Sequence, residues 1–84
     1  MVWVVRAELK DEYKIFVEFN DGVKGVIDFK EKLTNDHREI IRDLLDPALF
    51  KTVTVDMDTL TWKNGVDFAP EDLYQQVKIR ERVA

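Results

Sequence analysis

Apolar and polar residues alternate in three segments near the start of the chain. Every second position is largely apolar: Trp3, Val5, Ala7 and Leu9 in the first segment, Tyr13, Ile15, Val17 and Phe19 in the second, and Val23, Gly25, Ile27 and Phe29 in the third. A period of two with the turn Asn20-Asp21-Gly22 between runs is typical of a β-hairpin. The opposite positions are mostly polar, which predicts an antiparallel sheet covered on one face only. Gly25 predicts a bulge or a close approach by another element.

Helical spacing follows. One amphipathic stripe is formed by Ile40, Ile41, Leu44 and Leu45. Asp36, three residues before Glu39, resembles a capping box and predicts the helix start. Pro47 ends this helix at Asp46, because the residue before a proline avoids helical backbone angles. Asp46 and Pro47 in turn predict the cap and first position of one further helical turn.

The second half of the chain returns to strands and ends in a helix. Alternation from Thr52 predicts a strand, followed by a tight turn around Asp58 and a strand over residues 60–63. Asn64-Gly65 predicts a type I′ turn, with a short returning strand over residues 66–68. Pro70 begins the last helix, whose inner face is formed by Leu73, Tyr74 and Val77. We therefore predict one domain over residues 1–84 of the α+β class, with a small, mostly antiparallel sheet of about five strands and two main helices packed on one face.

Composition narrows the chemistry. A chain of 84 residues needs nearly every large apolar side chain for one core. It contains no cysteine and no serine, which excludes disulfides, thiolate metal sites and serine or cysteine nucleophiles. The single histidine, His37, has Asp36 as its sequence neighbour, and adjacent residues do not face each other on a helix. We therefore expect no enzyme activity, no catalytic residue, no metal and no cofactor.

Charge points to a protein partner. The net charge is −4, and the stretch from Asp43 to Val77 holds seven acidic and two basic residues, a balance of −5. Because nucleic-acid binding draws on basic patches, we expect no direct nucleic-acid binding. The alternative, binding through Lys78, Arg80 and Arg82, predicts strong salt dependence. No apolar run approaches the roughly 20 residues of a membrane span and no signal-peptide pattern opens the chain, so we expect no membrane association and a cytoplasmic location.

The candidate binding residues are Trp62, Asp67, Glu71, Asp72 and Tyr74. Aromatic residues with a polar tip are enriched at binding hot spots, although Trp62 equally suits the core of so small a domain. The carboxylates near Pro70 suit either a basic partner or the start of a helix. An alternative function is a small acid/base or metal-dependent hydrolase using Asp56, Asp58, Asp67 or Glu71, although Asp56 and Asp58 also fit a hairpin turn. An open sheet edge further allows a homodimer.

Several strings of residues carry a family resemblance: Phe19-Asn20-Asp21-Gly22, Val26-Ile27-Asp28-Phe29, Leu45-Asp46-Pro47, and Trp-x-Asn-Gly-x-Asp-x-x-Pro-Glu-x-Leu-Tyr from Trp62 to Tyr74. From about Trp3 to Tyr74 the chain resembles the small bacterial family catalogued as domain of unknown function 2442. The resemblance implies a compact α+β domain without an established catalytic residue. It also implies members that stand alone or are fused to a helix-turn-helix domain, many of them partners of small neighbouring proteins in toxin–antitoxin-like gene pairs.

From the excluded chemistry and this resemblance we predict a non-enzymatic protein-interaction module. It would be the antitoxin-like or regulatory half of a two-gene pair, and its partner a small basic protein from an adjacent gene. Because the chain ends at Ala84, we expect no appended DNA-binding domain, so regulation would depend on that partner.

Overall fold

The computed structural model describes residues 1–83, with side-chain surroundings for residues 1–79. Strands β1 (Val4–Asp11), β2 (Lys14–Phe19) and β3 (Lys24–Asp28) form an antiparallel sheet in the order β1-β2-β3. Residues that share one face of β2 and β3 are buried, as their alternation predicts, and the opposite face is open. Among these residues, Ile15 pairs with Ile27 across the two strands.

Strand β1 departs from the predicted alternation. Val4 lies opposite the buried Phe19, and after a register shift Ala7 lies opposite Val17. A β-bulge at Val5 inserts one residue between these pairs, so Val4 and Ala7 both face the core. The prediction of one regular face formed by Trp3, Val5, Ala7 and Leu9 is therefore wrong.

Three short helices follow the sheet: α1 (Lys30–Asn35), α2 (Glu39–Arg42) and α3 (Pro47–Phe50), with a 3₁₀ turn over Asp43–Leu45 between the last two. The predicted start of α3 is confirmed, because the Asp46 carboxylate accepts the Ala48 N–H at 3.0 Å. A longer helix, α4 (Pro70–Val83), begins at Pro70 as predicted. The sequence pattern missed α1, which has one buried residue, Leu33.

The predicted capping box at Asp36 is wrong. Its carboxylate accepts the backbone N–H of Arg38 at 2.9 Å and binds the Arg38 guanidinium at 3.0 and 2.9 Å. These bonds hold the pKa of Asp36 well below its usual range. The carboxylate therefore serves the loop between α1 and α2, and α2 begins three residues later, at Glu39.

Two further strands, β4 (Thr54–Asp56) and β5 (Thr59–Thr61), pair with each other as a separate sheet. The predicted α+β class is confirmed. The five strands lie in two sheets and not in one, and the structure has one long helix and three short ones where two main helices were predicted. The β4–β5 hairpin lies beside the start of β1, where the Val4 N–H donates to the Asp58 carbonyl at 2.9 Å. The bulge at Val5 interrupts the β1 ladder immediately after this bond.

The Asn64-Gly65 turn has a different geometry from the one predicted. The Gly65 N–H donates to the Trp62 carbonyl and the Trp62 N–H to the Val66 carbonyl, both at 2.9 Å, which closes a three-residue loop. Within this described loop the one positive φ is that of Gly65, at 90°. The type I′ prediction is wrong because the loop holds one residue more than a two-residue turn, and glycine takes the bulge position. The predicted strand over residues 66–68 is reduced to one bridge, between Asp67 and Thr61.

An aromatic cluster of Phe29, Phe50, Trp62 and Phe68 fills the core, with ring centroids 5.5–6.0 Å apart. Helix α4 closes the core over β3. A Cβ at Gly25 would lie 3.0 Å from Val77 Cγ1, which confirms the predicted close approach. No helix in the described part of the chain is long and apolar enough to cross a membrane.

Candidate functional site

Three chain segments meet at one end of the fold. Asn20, in the β2–β3 turn, joins the N-terminal segment, because its Oδ1 accepts the Trp3 N–H at 2.9 Å and its Nδ2 donates to the Met1 carbonyl at 3.1 Å. The bond from Val4 to Asp58 brings the β4–β5 turn to the same end. We refer to residues 1–3, 20–22 and 55–58 as the turn-end surface.

The β4–β5 turn holds two residues without glycine in left-handed backbone geometry. Met57 has φ 51° and Asp58 has φ 68°, the pattern of a type I′ turn. Such turns favour Asn-Gly, because a left-handed conformation costs an L-residue about 1–2 kcal/mol. The neighbouring β2–β3 turn avoids this cost by placing Gly22 at its positive φ, 89°. Backbone strain of this kind is enriched at functional segments.

Apolar side chains are exposed on the turn-end surface. Met57 is 85% exposed, Val55 39% and Trp3 38%. Methionine adapts its shape to many partners, and tryptophan is enriched at binding hot spots. Burial against a partner would remove this apolar surface from water.

Carboxylates surround the apolar side chains. Asp21, Asp56 and Asp58 are exposed on the same surface. Asp21 accepts the Tyr74 hydroxyl at 2.7 Å and the Val23 N–H at 3.0 Å. The Tyr74 bond, followed by the Val23 bond, lowers the pKa of Asp21, and the nearby Lys78 charge adds a smaller effect in the same direction. This end of the molecule therefore combines exposed apolar side chains with three carboxylates.

The structure distributes the candidate binding residues over three places. Trp62 is 4% exposed, and its indole Nε1–H donates to the Phe50 carbonyl at 2.9 Å, so it is a core residue. Tyr74 is half-buried, with its ring edge-on to Phe19 at 5.1 Å and its hydroxyl at the turn-end surface. Asp67, Glu71 and Asp72 are exposed at and just before the start of α4.

The carboxylates of the hydrolase alternative lie on different elements. Asp56 and Asp58 flank Met57 at the β4–β5 turn, while Glu71 lies in the first turn of α4. Over the described residues, no group of three or more His, Asp and Glu side chains is placed to hold a metal ion. His37 is exposed.

The structure describes the side chain of one of the three basic residues proposed to bind nucleic acid. Lys78 is half-buried on α4. The side chains of Arg80 and Arg82 lie outside the part of the chain that the structure describes.

The strand predicted from Thr52 did not connect Met57 with Asp21. The available signal was local, an apolar residue between two turn aspartates, Asp56 and Asp58. The contribution of Trp3 depends on its bonds to Asn20, which lies 17 residues away in the chain.

Comparison with known proteins identifies a family and no characterised relative. A family model described as a protein of unknown function, DUF2442, matches residues 4–78, which run from the start of β1 into α4. No curated protein and no solved structure matches the chain. The matched region includes the Trp62–Tyr74 motif and both turns that build the turn-end surface. The chain therefore belongs to the DUF2442 family of proteins of unknown function.

Proposed function

We propose that this protein is a non-enzymatic interaction module that binds a small basic protein through the turn-end surface. One observation carries the proposal: a strained turn exposes Met57 between two aspartates, on the same turn-end surface as the exposed Trp3. A few side chains provide most of the binding energy in protein interfaces, and tryptophan is enriched among them. Carboxylates around them accelerate encounter with a basic partner and select against acidic ones.

The partner is the product of an adjacent gene, and the protein is the antitoxin-like or regulatory half of the pair. This assignment follows what the family resemblance implies, namely members that are partners of small neighbouring proteins. The net charge of −4 supports a basic partner. A cytoplasmic location fits such a pair.

Co-purification with the adjacent gene product tests the proposal. The two proteins, mixed at micromolar concentration, should form a complex whose association rate falls between about 50 and 300 mM salt, because salt screens exposed charges. A pair that stays separate at that concentration would exclude this partner and with it the proposal.

Matched variants locate the surface. Met57→Ala should weaken the complex at least about tenfold, as expected of a hot-spot side chain. Ile40→Ala is the control, because Ile40 is 48% exposed on α2, outside the turn-end surface. Equal weakening by both variants would contradict a docking site at the β4–β5 turn.

The carboxylates are tested in the same way. Asp56→Asn with Asp58→Asn should slow association and flatten its salt dependence. Glu31→Gln with Asp43→Asn removes the same charge from two exposed positions elsewhere and serves as the control. If the control pair slows association as much, net charge and not the turn-end surface attracts the partner.

A further inference from the structure

Strand β1 forms one edge of the three-stranded sheet over the described residues. The direction of its backbone groups follows from β2. The Phe29 N–H donates to the Tyr13 carbonyl at 2.9 Å and the Phe19 N–H to the Val23 carbonyl at 2.8 Å, so odd-numbered β2 residues bond to β3. Because backbone groups alternate in direction along an antiparallel strand, even-numbered β2 residues bond to β1.

Ala7 and Leu9 direct their backbone N–H and C=O groups away from β2. Arg6 and Glu8 stand opposite even-numbered residues of β2 and use their backbone groups in the ladder. The β4–β5 turn bonds to β1 at Val4, before this segment. Residues 6–9, which lie between the two register shifts of β1, therefore present an outer edge of the kind that accepts another strand.

The side chains on this edge complement a second copy of themselves. In an antiparallel pair of β1 strands centred on Ala7, Arg6 lies opposite the partner's Glu8, and Glu8 opposite the partner's Arg6. Each charge already has a neighbour of opposite sign in its own chain, Arg6–Glu18 at 3.2 Å and Glu8–Lys10 at 3.3 Å. Pairing joins these ion pairs into two rows of alternating charge.

Apolar side chains complete the match. Leu9, 39% exposed, shares a face with Ala7, because the two residues lie opposite the buried Ile15 and Val17 of β2. Ala7 packs against the core of its own chain. In the dimer it lies opposite the partner's Ala7, so apolar contacts continue across the two-fold axis. Opposite charges and apolar pairs directly across two strands both stabilise a sheet.

Other registers fit less well. Centring the pair on Glu8 sets Glu8 against the partner's Glu8 and Arg6 against the partner's Lys10, which are repulsive contacts. Centring it on Leu9 sets Arg6 against the partner's Glu12, beyond the end of β1 at Asp11. A slip by a single residue reverses the faces of the strand.

We propose that two copies of this chain form a dimer by antiparallel pairing of their β1 strands about a two-fold axis at Ala7. The product is one six-stranded sheet in the order β3-β2-β1-β1-β2-β3. This dimer is independent of the proposed partner, because it pairs residues 5–9 and leaves Met57 and Trp3 outside the strand pair.

Single-cysteine variants test the register, since the chain contains no cysteine. In the Ala7→Cys dimer the two Cα atoms face each other at about 5.5 Å, within disulfide reach. In the control, Leu9→Cys, the two cysteines are offset by four residues and lie roughly 14 Å apart. Mild oxidation should link Ala7→Cys into a species of twice 9.9 kDa and leave Leu9→Cys monomeric. Equal linking of both variants, or preferential linking of Leu9→Cys, would overturn the register.

Charge reversal tests the dimer without a cross-link. Arg6→Glu and Glu8→Arg should each weaken self-association at least about tenfold in sedimentation equilibrium, because each creates two like-charge contacts. The double variant exchanges the charges and should recover the original affinity within about threefold. Failure of the double variant to recover while its circular dichroism stays native, or a monomeric natural chain at hundreds of micromolar, would refute the dimer.

Discussion

Replacing Met57-Asp58 by Asn-Gly should stabilise this protein. Both residues have positive φ, 51° and 68°, which asparagine tolerates and glycine adopts freely. Removing the backbone strain should stabilise the folded protein by about 1 kcal/mol at each position. The greater conformational entropy of glycine in the unfolded chain offsets about 0.5–1 kcal/mol of this gain. Little opposes the gain, because the Met57 side chain is 85% exposed and Asp58 meets Val4 through its backbone carbonyl.

The expected net gain is about 1 kcal/mol in the free energy of unfolding, or about 4–8 °C in Tm for a domain of this size. Urea unfolding followed by far-ultraviolet circular dichroism measures it. Met57→Ala is the matched control, because alanine keeps the cost of a positive φ. Gly65→Ala is the reciprocal control, because it places a non-glycine residue at φ 90°. No atom lies within 4 Å of the added Cβ, so the backbone conformation alone should lower the free energy of unfolding, by about 1 kcal/mol.

Strain at the β4–β5 turn would be refuted if the Asn-Gly variant were no more stable than the natural protein while Gly65→Ala showed its expected loss. The same variant also lacks the Met57 side chain and one carboxylate. We therefore expect it to fold more stably and bind the basic partner more weakly, an inverse relation typical of strained functional segments.

Gly25→Ala should lower the free energy of unfolding by about 1–3 kcal/mol, because the added Cβ overpacks against Val77. In a Val77→Ala background the same substitution should cost less than about 0.5 kcal/mol. Additive losses in a double-mutant cycle, measured by urea unfolding, would contradict this packing. Asp36→Asn should be less stable than the natural protein at pH 7. Because the folded pKa is depressed, this difference should narrow as pH falls below the ordinary value of 3.8, and a constant difference would be evidence against the Arg38 contact. Tyr74→Phe should raise the pKa of Asp21 towards its ordinary value in a carboxyl ¹³C NMR titration, and an unmoved titration would show that the hydroxyl does not set it.

The elements that could be predicted are those whose signal is repeated or chemically specific. Strands β2 and β3 repeat the same period over several residues, and Asp46-Pro47 supplies both a side-chain cap and a fixed φ. Helix α1 has neither a repeated apolar period nor a side-chain cap, because Leu33 is its one buried residue. Tertiary packing stabilises this helix, and a local pattern does not record such packing. The capping box failed because the Asp36 carboxylate is bonded to Arg38, two residues away.

The turn-end surface was beyond reach for a different reason. Its parts are separated in sequence and meet through a few hydrogen bonds between distant residues, such as Asn20 to Trp3 across 17 residues. No local period records a contact of that kind. The bulge at Val5 likewise depends on how β1 fits β2, and the alternation of Trp3, Val5 and Ala7 gives no sign of it.

The two tryptophans of this chain occupy opposite environments. The Trp62 indole proton is bonded to the Phe50 carbonyl in a side chain that is 4% exposed, whereas Trp3 is 38% exposed on the turn-end surface. In deuterated water the Trp3 indole proton should exchange within the dead time, while that of Trp62 persists until the domain opens. A single NMR spectrum therefore contains two natural reporters, one for global opening and one for the outer surface, and no label has to be introduced.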